Sequence, residues 1–340
     1  MKIEDAEKAM MVNKIIKFGA VFVIVSWNNR DIISGCIESV LAQDYAGEVK
    51  IILVDNDSKD KTADFVENKF PEVIVLRQPE NTGFARANNI GIDYAKEHLS
   101  CDYVALLNSD ARIDKSWTVN LVDFLKKNKD VASVQGVTYD YFDNKILDSR
   151  GILVNRNGSA IQLGFGEPSE NAPDNPVEVF GVNAAACVYS MEFFNSQPLS
   201  YVLDNRMYMY LEDVDLAARA RALGYKSFVV PSAKAQHMGS ASSKKRSKDY
   251  SYYMVQRNNI ILVYKNFYSK QLARLMIGQV RETVRELGNL WKTDRSRIMV
   301  LVRARLTGLV MVLAATGDRN KLKKYSSTQV ERDRVWQELM

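Results

Sequence analysis

Four short stretches of this chain carry side chains whose types and spacing can do chemistry. In Ala105-Leu106-Leu107-Asn108-Ser109-Asp110 an apolar run stops at two oxygen-bearing side chains two residues apart. Such oxygens suit a hard divalent cation; the other reading open for Asp110 is a cap on the turn that follows. Asp55-Asn56-Asp57-Ser58 ends a second apolar run in the same way. Glu212-Asp213-Val214-Asp215 places three carboxylates in four positions behind Met207-Tyr208-Met209-Tyr210. That arrangement is costly unless the acids are solvated, paired or used. A desolvated member of the group can serve as a general base, and Asp215 also reads as an acid favoured by a helix N-terminus. His237 follows a strand and precedes a Gly/Ser loop, which makes it either a ligand or a structural histidine. His98, among charged neighbours at a helix end, reads as a surface residue.

The elements that must position these residues follow from periodicity. Ala20 to Trp27 is a continuous β-branched and aromatic run, which predicts a strand buried on both faces and therefore a parallel sheet. Helix Ile32 to Ala42, strand Val49 to Val54, helix Thr62 to Phe70, strand Val73 to Leu76, helix Phe84 to Glu97 and strand Tyr103 to Leu107 then alternate. This alternation is the signature of an open doubly wound sheet whose ligands collect beyond the carboxyl ends of the strands. Asp55-Asn56 and Asn108-Ser109-Asp110 both lie at such ends, so one crevice can hold both. After helix Trp117 to Asn128 and strand Val131 to Gln135, residues 140–180 are rich in Gly, Asn, Asp and Pro, with short strands at Ile152 to Val154 and Val177 to Val179. Loop density marks that half as the adaptable one. Phe180 to Tyr189, small and apolar, is expected near the site, and Phe228 to Pro231 is expected to close the sheet. Lys244 to Lys248 is a basic loop able to close over a pyrophosphate, and Tyr252, Tyr253, Arg257 and Asn258 open an aromatic-rich helix.

Composition bounds the class. At 340 residues, 46% hydrophobic and 26% charged, the chain is an ordinary globular protein rather than a disordered or fibrous one. Cys36, Cys101 and Cys187 are far apart, odd in number and lack metal-ligand spacing, which points to a reducing compartment. The first seventeen residues mix Glu, Asp and Lys, and Phe18 to Trp27 has no small-residue cleavage site after it, so the expectation is a cytosolic protein. The net charge of +5 is uneven: residues 270–340 hold fifteen Lys/Arg and seven Asp/Glu, leaving −3 for the remainder. A basic tail suggests an anionic surface as partner. Leu272, Leu275, Met276, Val280, Val284, Leu287 and Trp291 fall on one helical face, and Leu306 to Thr316 is apolar but short of the ~20 residues of a membrane span. Helices lying in a membrane interface are expected, with packing on the domain or on a second subunit as the other reading.

Taken in order, Val25-Ser26-Trp27-Asn28, Val54-Asp55-Asn56-Asp57-Ser58, Asn81-Thr82-Gly83-Phe84-Ala85, Leu107-Asn108-Ser109-Asp110, Glu212-Asp213-Val214-Asp215-Leu216 with Arg219 and Gly224, and His237 make the chain resemble the family 2 glycosyltransferases, nearest to their rhamnosyltransferase-like branch. The resemblance covers residues 20 to about 268 and implies an α/β GT-A fold: a Rossmann-like, mostly parallel open sheet flanked by helices, followed by amphipathic C-terminal helices. It implies an N-terminal extension over 1–19, a nucleotide-sugar-binding half over 20–135, an acceptor-binding and catalytic half over 136–268, and a basic helical tail over 269–340. The donor site it implies consists of Val25, Trp27, Asp55, Asn56, Gly83, Arg86, Asn88 and Asn108, with Asp55 and Asn56 on the uracil or thymine base and its ribose. Asp110 and His237 would hold a divalent metal, Mg2+ or Mn2+, and Asp213 would be the base of an inverting transfer. Asn108 replaces the first carboxylate of the usual Asp-x-Asp, as in the rhamnosyltransferase-like branch; Asn88-Asn89 stands where many relatives have Arg-Asn, with Arg86 two positions earlier.

The implied activity is transfer of a sugar, rhamnose from dTDP-rhamnose or a hexose from a UDP-sugar, to a lipid-linked or polysaccharide acceptor in cell-surface glycan synthesis. The tail would hold the enzyme at the inner face of the cell membrane or build a homodimer. A non-catalytic scaffold of the same fold has no need of Asp110, Asp213 and His237 together. Nucleic-acid binding lacks a recognition motif and is not expected.

Overall fold

The computed structural model describes residues 17–155, 157–239 and 248–325; most of the expected basic loop from Lys244 to Lys248 lies outside them. Strands β1 (Lys17–Ser26), β2 (Val49–Asp55), β3 (Ile74–Arg77) and β4 (Ser100–Asn108) alternate with helices α1 (Ile33–Leu41), α2 (Thr62–Lys69) and α3 (Gly83–His98). The four strands lie in the order β3-β2-β1-β4, all parallel. Their apolar runs are uninterrupted because both faces are covered. Phe22 and Ile24 pack with Ile33 and Ile37 of α1 on one face, whereas Val21 and Val23 pack with Ala85 and Ile92 of α3 on the other.

Beyond β5 (Ala111–Ile113) and α4 (Trp117–Lys127), β6 (Val131–Asp140) continues the sheet. The loop-rich stretch holds β7 (Leu147–Ser149), β8 (Ile152–Val154), β9 (Ala160–Gln162) and β10 (Val177–Val179), with β8 and β9 forming a separate ribbon. β11 (Ala186–Ser190) slots between β4 and β6, antiparallel to each. After α5 (Met191–Asn195) and α6 (Glu212–Ala222), β12 (Lys226–His237) pairs parallel to β6. Six strands therefore point the same way, and the architecture is the expected α/β GT-A fold.

The structure departs from the expected closing strand, which does not stop at Pro231. A proline removes one ladder hydrogen bond and is tolerated at a bulge. Here the register with β6 shifts between Val229 and Lys234, and Pro231 sits inside that irregularity. The strand then continues, pairs antiparallel with β5 and sets His237 opposite Ala111. His237 is thus the last residue of a long strand rather than a residue that follows one.

Helices α7 (Lys248–Asn266), α8 (Ser269–Thr293) and α9 (Ser296–Tyr325) complete the described chain. α9 is continuous over 30 residues, and Ser296–Lys324 is long and apolar enough to cross a membrane. This corrects the shorter count based on Leu306 to Thr316. One side of α9 is nevertheless packed: Leu301, Ala304 and Ala315 are buried, and Gly308 lies so close to the Arg257 carbonyl of α7 that a Cβ would sit 2.7 Å from it. Much of the expected apolar face of α8 is uncovered, with Leu275 buried but Met276, Val280, Val284 and Trp291 exposed.

Candidate active site

The carboxyl ends of β1, β2, β4 and β12 open on one cavity of about 410 Å3. Val25, Trp27, Asn56, Gly83, Asn108, Asp110, Asp213 and His237 all line it. Asp55 is buried at the end of β2, where burial raises its pKa. One of its oxygens accepts from the Ser58 N–H at 3.3 Å and the other has no hydrogen-bond partner. A buried orphan oxygen of this kind is stabilised by a donor group that a ligand brings.

Asn56 has a different task from the expected one. Its amide oxygen accepts from the Thr82 N–H (2.9 Å) and the Thr82 hydroxyl (3.1 Å), and its nitrogen donates to Asn81 Oδ1 and the Gly83 carbonyl. Both lone pairs of the oxygen are occupied, so Asn56 holds the 81–83 turn rather than offering that oxygen to a base. Three of the expected donor-site residues, Asp55, Arg86 and Asn88, do not line the cavity. Arg86 lies on the exposed side of α3, and Asn88 is buried with its amide donating one turn back to the Phe84 carbonyl. The neighbouring Asn89 is likewise structural, tied to Leu203 and Asn205.

Where β4 meets the end of β12, His237 stands between two carboxylates. Its Nε2 lies 3.3 Å from Asp110 Oδ1 and 3.2 Å from Asn108 Nδ2, while its Nδ1 lies 3.1 Å from Asp148 Oδ2. Burial opposes charging of the ring, but the hydrogen bonds to Asp110 and Asp148 outweigh it and raise the pKa to about 10. Asp148, on the three-residue strand β7, gave no signal in the sequence. It belongs to a Gly- and Asn-rich stretch and reaches the site only because β7 pairs with β6. A carboxylate on the far nitrogen of a histidine fixes ring orientation and makes the near nitrogen a better ligand.

Asp110 and His237 are the pair that can hold a divalent cation. Two metal bonds of about 2.1 Å at a right angle put their donors about 3 Å apart, close to the separation here. Among the described residues no group of three or more His, Cys, Asp or Glu is spaced as a full ligand shell. Phosphate and water would supply the other ligands, as is usual where magnesium meets a nucleotide.

Glu212 and Asp213, at the start of α6, line the same cavity. Asp213 Oδ2 accepts from the Ala184 N–H at 3.3 Å and Oδ1 from the Val214 N–H at 2.8 Å. Burial still raises its pKa, against the pull of those donors. Glu212 is raised well above its ordinary value by burial and then by the Asp213 charge, and its Oε2 has no partner. The segment before them is strained: Tyr208, Tyr210 and Leu211 take φ of 62°, 69° and 67°. Non-glycine residues held there cost about 1–3 kcal/mol each. Tyr208 also presses on the donor side, where a Cβ on Gly83 would lie 2.6 Å from its carbonyl oxygen.

Asp215 lies in the first turn of α6, as the helix-end reading expects, and is also fully buried. It bonds Arg219 (3.1 Å), Lys265 (2.8 Å) and Asn266 (2.6 Å). Lys265 continues to Asp204 (2.6 Å), which bonds Arg206 (2.7 Å), which reaches Asp318 of α9 (2.5 Å). Three carboxylates and three cations thus close a neutral network behind α6. Despite burial, Lys265 and Arg206 hold the Asp204 carboxyl well below its usual range.

Comparison with known proteins bears on the family and the fold. Residues 21–186 match the family model for glycosyl transferase family 2. A poly-beta-1,6-N-acetyl-D-glucosamine synthase of Staphylococcus epidermidis is 32% identical over 125 residues, 35% of this chain and 28% of its own length. The low-salt glycan biosynthesis hexosyltransferase Agl10 of Haloferax volcanii is 22% identical over 68% of this chain and 72% of its own. The first curated relatives are matched over 24% to 38% of their length. S. aureus TarS 1–349, solved with UDP-GlcNAc, superposes with a TM-score of 0.55 at 15% identity, covering 91% of this chain and 90% of its own. That likeness extends the fold through the C-terminal helices. Residues 21–186, just under half of the chain, are thus similar to glycosyl transferase family 2 and are built into a GT-A fold.

Proposed function

We propose that the chain is an inverting glycosyltransferase that moves a sugar from a dTDP- or UDP-sugar to a hydroxyl of a lipid-linked or polysaccharide acceptor in cell-surface glycan synthesis. One observation carries the reading: the Asp110–His237 pair and the Asp213 carboxylate line the same cavity. Asp55, with Val25 and Trp27 beside it, receives the nucleoside. Asp110 and His237 hold Mg2+ or Mn2+, which would offset the charge developing on the departing nucleoside diphosphate. Asp213, raised by burial and aimed by two backbone N–H groups, takes the acceptor proton as the hydroxyl oxygen attacks the anomeric carbon from the side opposite the diphosphate. The Asn108 form of the metal motif favours rhamnose, and the similarity to an N-acetyl-D-glucosamine polymer synthase and a hexosyltransferase favours hexosamine or hexose donors.

The exposed faces of the C-terminal helices support a position at the inner face of the cell membrane. Met299, Leu309, Val310 and Leu313 of α9 and Val280, Val284 and Trp291 of α8 are exposed, with Arg281, Lys292 and Arg303 among them. Apolar contact plus attraction to anionic headgroups is the chemistry of an interfacial helix. A second copy of the chain is the other occupant this face admits.

The test is nucleoside diphosphate release from dTDP-rhamnose and a panel of UDP-sugars, with Mn2+, Mg2+ or EDTA. Release from one donor that EDTA abolishes, and a fall in turnover of about 10²–10⁴ in Asp213→Asn with donor affinity within about threefold, is the expected result. Absence of both donor binding and release overturns the reading. In the same preparation, co-sedimentation with anionic vesicles that Leu313→Asp weakens separates the membrane from a dimer.

A further inference from the structure

The acids of α6 stand on a segment that does not hold its own shape. Tyr208, Tyr210 and Leu211 all have positive φ, and Leu211, in the left-handed region, is the residue from which α6 starts. Left-handed backbone is natural for glycine and unfavourable for residues with a Cβ. Something must therefore hold the segment from outside.

On α7, Asn258 is fully buried, and its amide nitrogen donates to the carbonyls of Met207 (2.9 Å), Met209 (3.0 Å) and Tyr210 (2.8 Å). Arg257 reinforces it. Its Nη2 donates to the carbonyls of Arg206 (3.1 Å) and Met207 (2.9 Å), and its Nε donates to Asn258 Oδ1 at 2.9 Å, which fixes which end of the amide faces the carbonyls. From the other side the Ala85 N–H donates to the Tyr208 carbonyl at 3.1 Å, and the Tyr208 hydroxyl donates to Asn81 Oδ1 at 2.9 Å. The segment is bracketed between the donor-side turn and α7. An NH2 group is the side-chain donor short enough to serve several converging carbonyls, and an aspartate of the same size would repel all of them.

We propose that Asn258, oriented by Arg257, is a positioning residue for the transfer reaction: it holds Met207–Leu211 in its strained conformation, with positive φ at Tyr208, Tyr210 and Leu211, and so aims the Asp213 carboxylate at the acceptor hydroxyl. It touches no substrate. The inference rests on the assignment of Asp213 as the base.

The experiment compares Asn258→Asp, Leu211→Gly and the double variant in the full-length enzyme. Misplacing a catalytic group by about an ångström costs about 10²-fold in rate, so Asn258→Asp is expected to lower kcat by about 10- to 100-fold with donor KM within about threefold. Glycine adopts the left-handed conformation without strain, so the loss measured against Leu211→Gly alone should be at least about threefold smaller. Equal losses in both backgrounds, or a donor KM that rises as much as kcat falls, overturn the proposal. Circular dichroism and calorimetric binding of UDP check folding; if Asn258→Asp does not fold, Asn258→Ala is read in the same two backgrounds. Asp213→Asn assayed alongside keeps the two ideas apart. Wild-type turnover in Asp213→Asn removes the base assignment, whereas an inactive Asp213→Asn beside a fully active Asn258→Asp removes the role of Asn258 alone.

Discussion

Helix α6 begins with three acids that meet opposite surroundings within one turn. Glu212 and Asp213 face the cavity, where one carboxylate oxygen has no partner and both groups are pushed toward holding their protons. Asp215 faces inward and is surrounded by Arg219, Lys265 and Asn266, in a network that runs on through Asp204 and Arg206 to Asp318. All three are acids and the most exposed of them, Asp213, is still half-buried; the sharper difference is the supply of partners. A buried acid with every lone pair answered is a structural element, and one left short of donors is held ready for a proton or a ligand.

Three changes break or sharpen that contrast. Lys265→Met removes the cation that Asp204 and Asp215 share and leaves buried charge unanswered, so unfolding in urea should show a loss of about 3–5 kcal/mol. A loss below about 1 kcal/mol would place the network among weak surface pairs instead. Asp148→Asn leaves the ring of His237 in place but removes the carboxylate behind it, and Mn2+ affinity measured by calorimetry should fall about 10- to 100-fold. An unchanged affinity would mean that His237 is not a ligand or needs no orientation. The smallest effect belongs to Glu212→Gln. Because the folded pKa of Glu212 lies above its unfolded value of 4.5, the folded chain binds the proton more tightly, and stability falls as pH rises from that value through the folded one. The amide variant should lose part of that slope in a series of urea titrations, and an identical slope would exclude Glu212 as its source.

Much of this arrangement was legible in the sequence because the parallel half of the sheet announces itself. Uninterrupted apolar strands end in polar tips, and the tips at Trp27, Asn56, Asn108 and Asp110 converge as the doubly wound rule requires. Even the short strands at Ile152–Val154 and Val177–Val179 lie where they were expected. The misses have physical reasons. Pro231 hid the second half of β12, because a proline normally ends a strand and the bulge that accommodates it is a tertiary feature. Asp148 lies on three paired residues with no period to read. Lys265 had a cue that was overlooked: it follows Ile260-Ile261-Leu262-Val263-Tyr264, where a lysine must be paired if the helix is buried. Arg86 and Asn88 failed because motif spacing says nothing about which side of α3 faces the sheet.

The pairing of β12 with β5 has a consequence for how the protein is made. Asn108 and His237 are 129 positions apart in the chain, yet their side chains touch. While the ribosome is still adding residues beyond β6, the polypeptide already contains the strand tips at Trp27, Asn56 and Asn108, but the histidine side of the cavity does not exist. A ligand that grips both sides closes that long loop and favours the finished chain over every shorter one, so added metal and nucleoside diphosphate should raise the melting temperature together more than the sum of either alone.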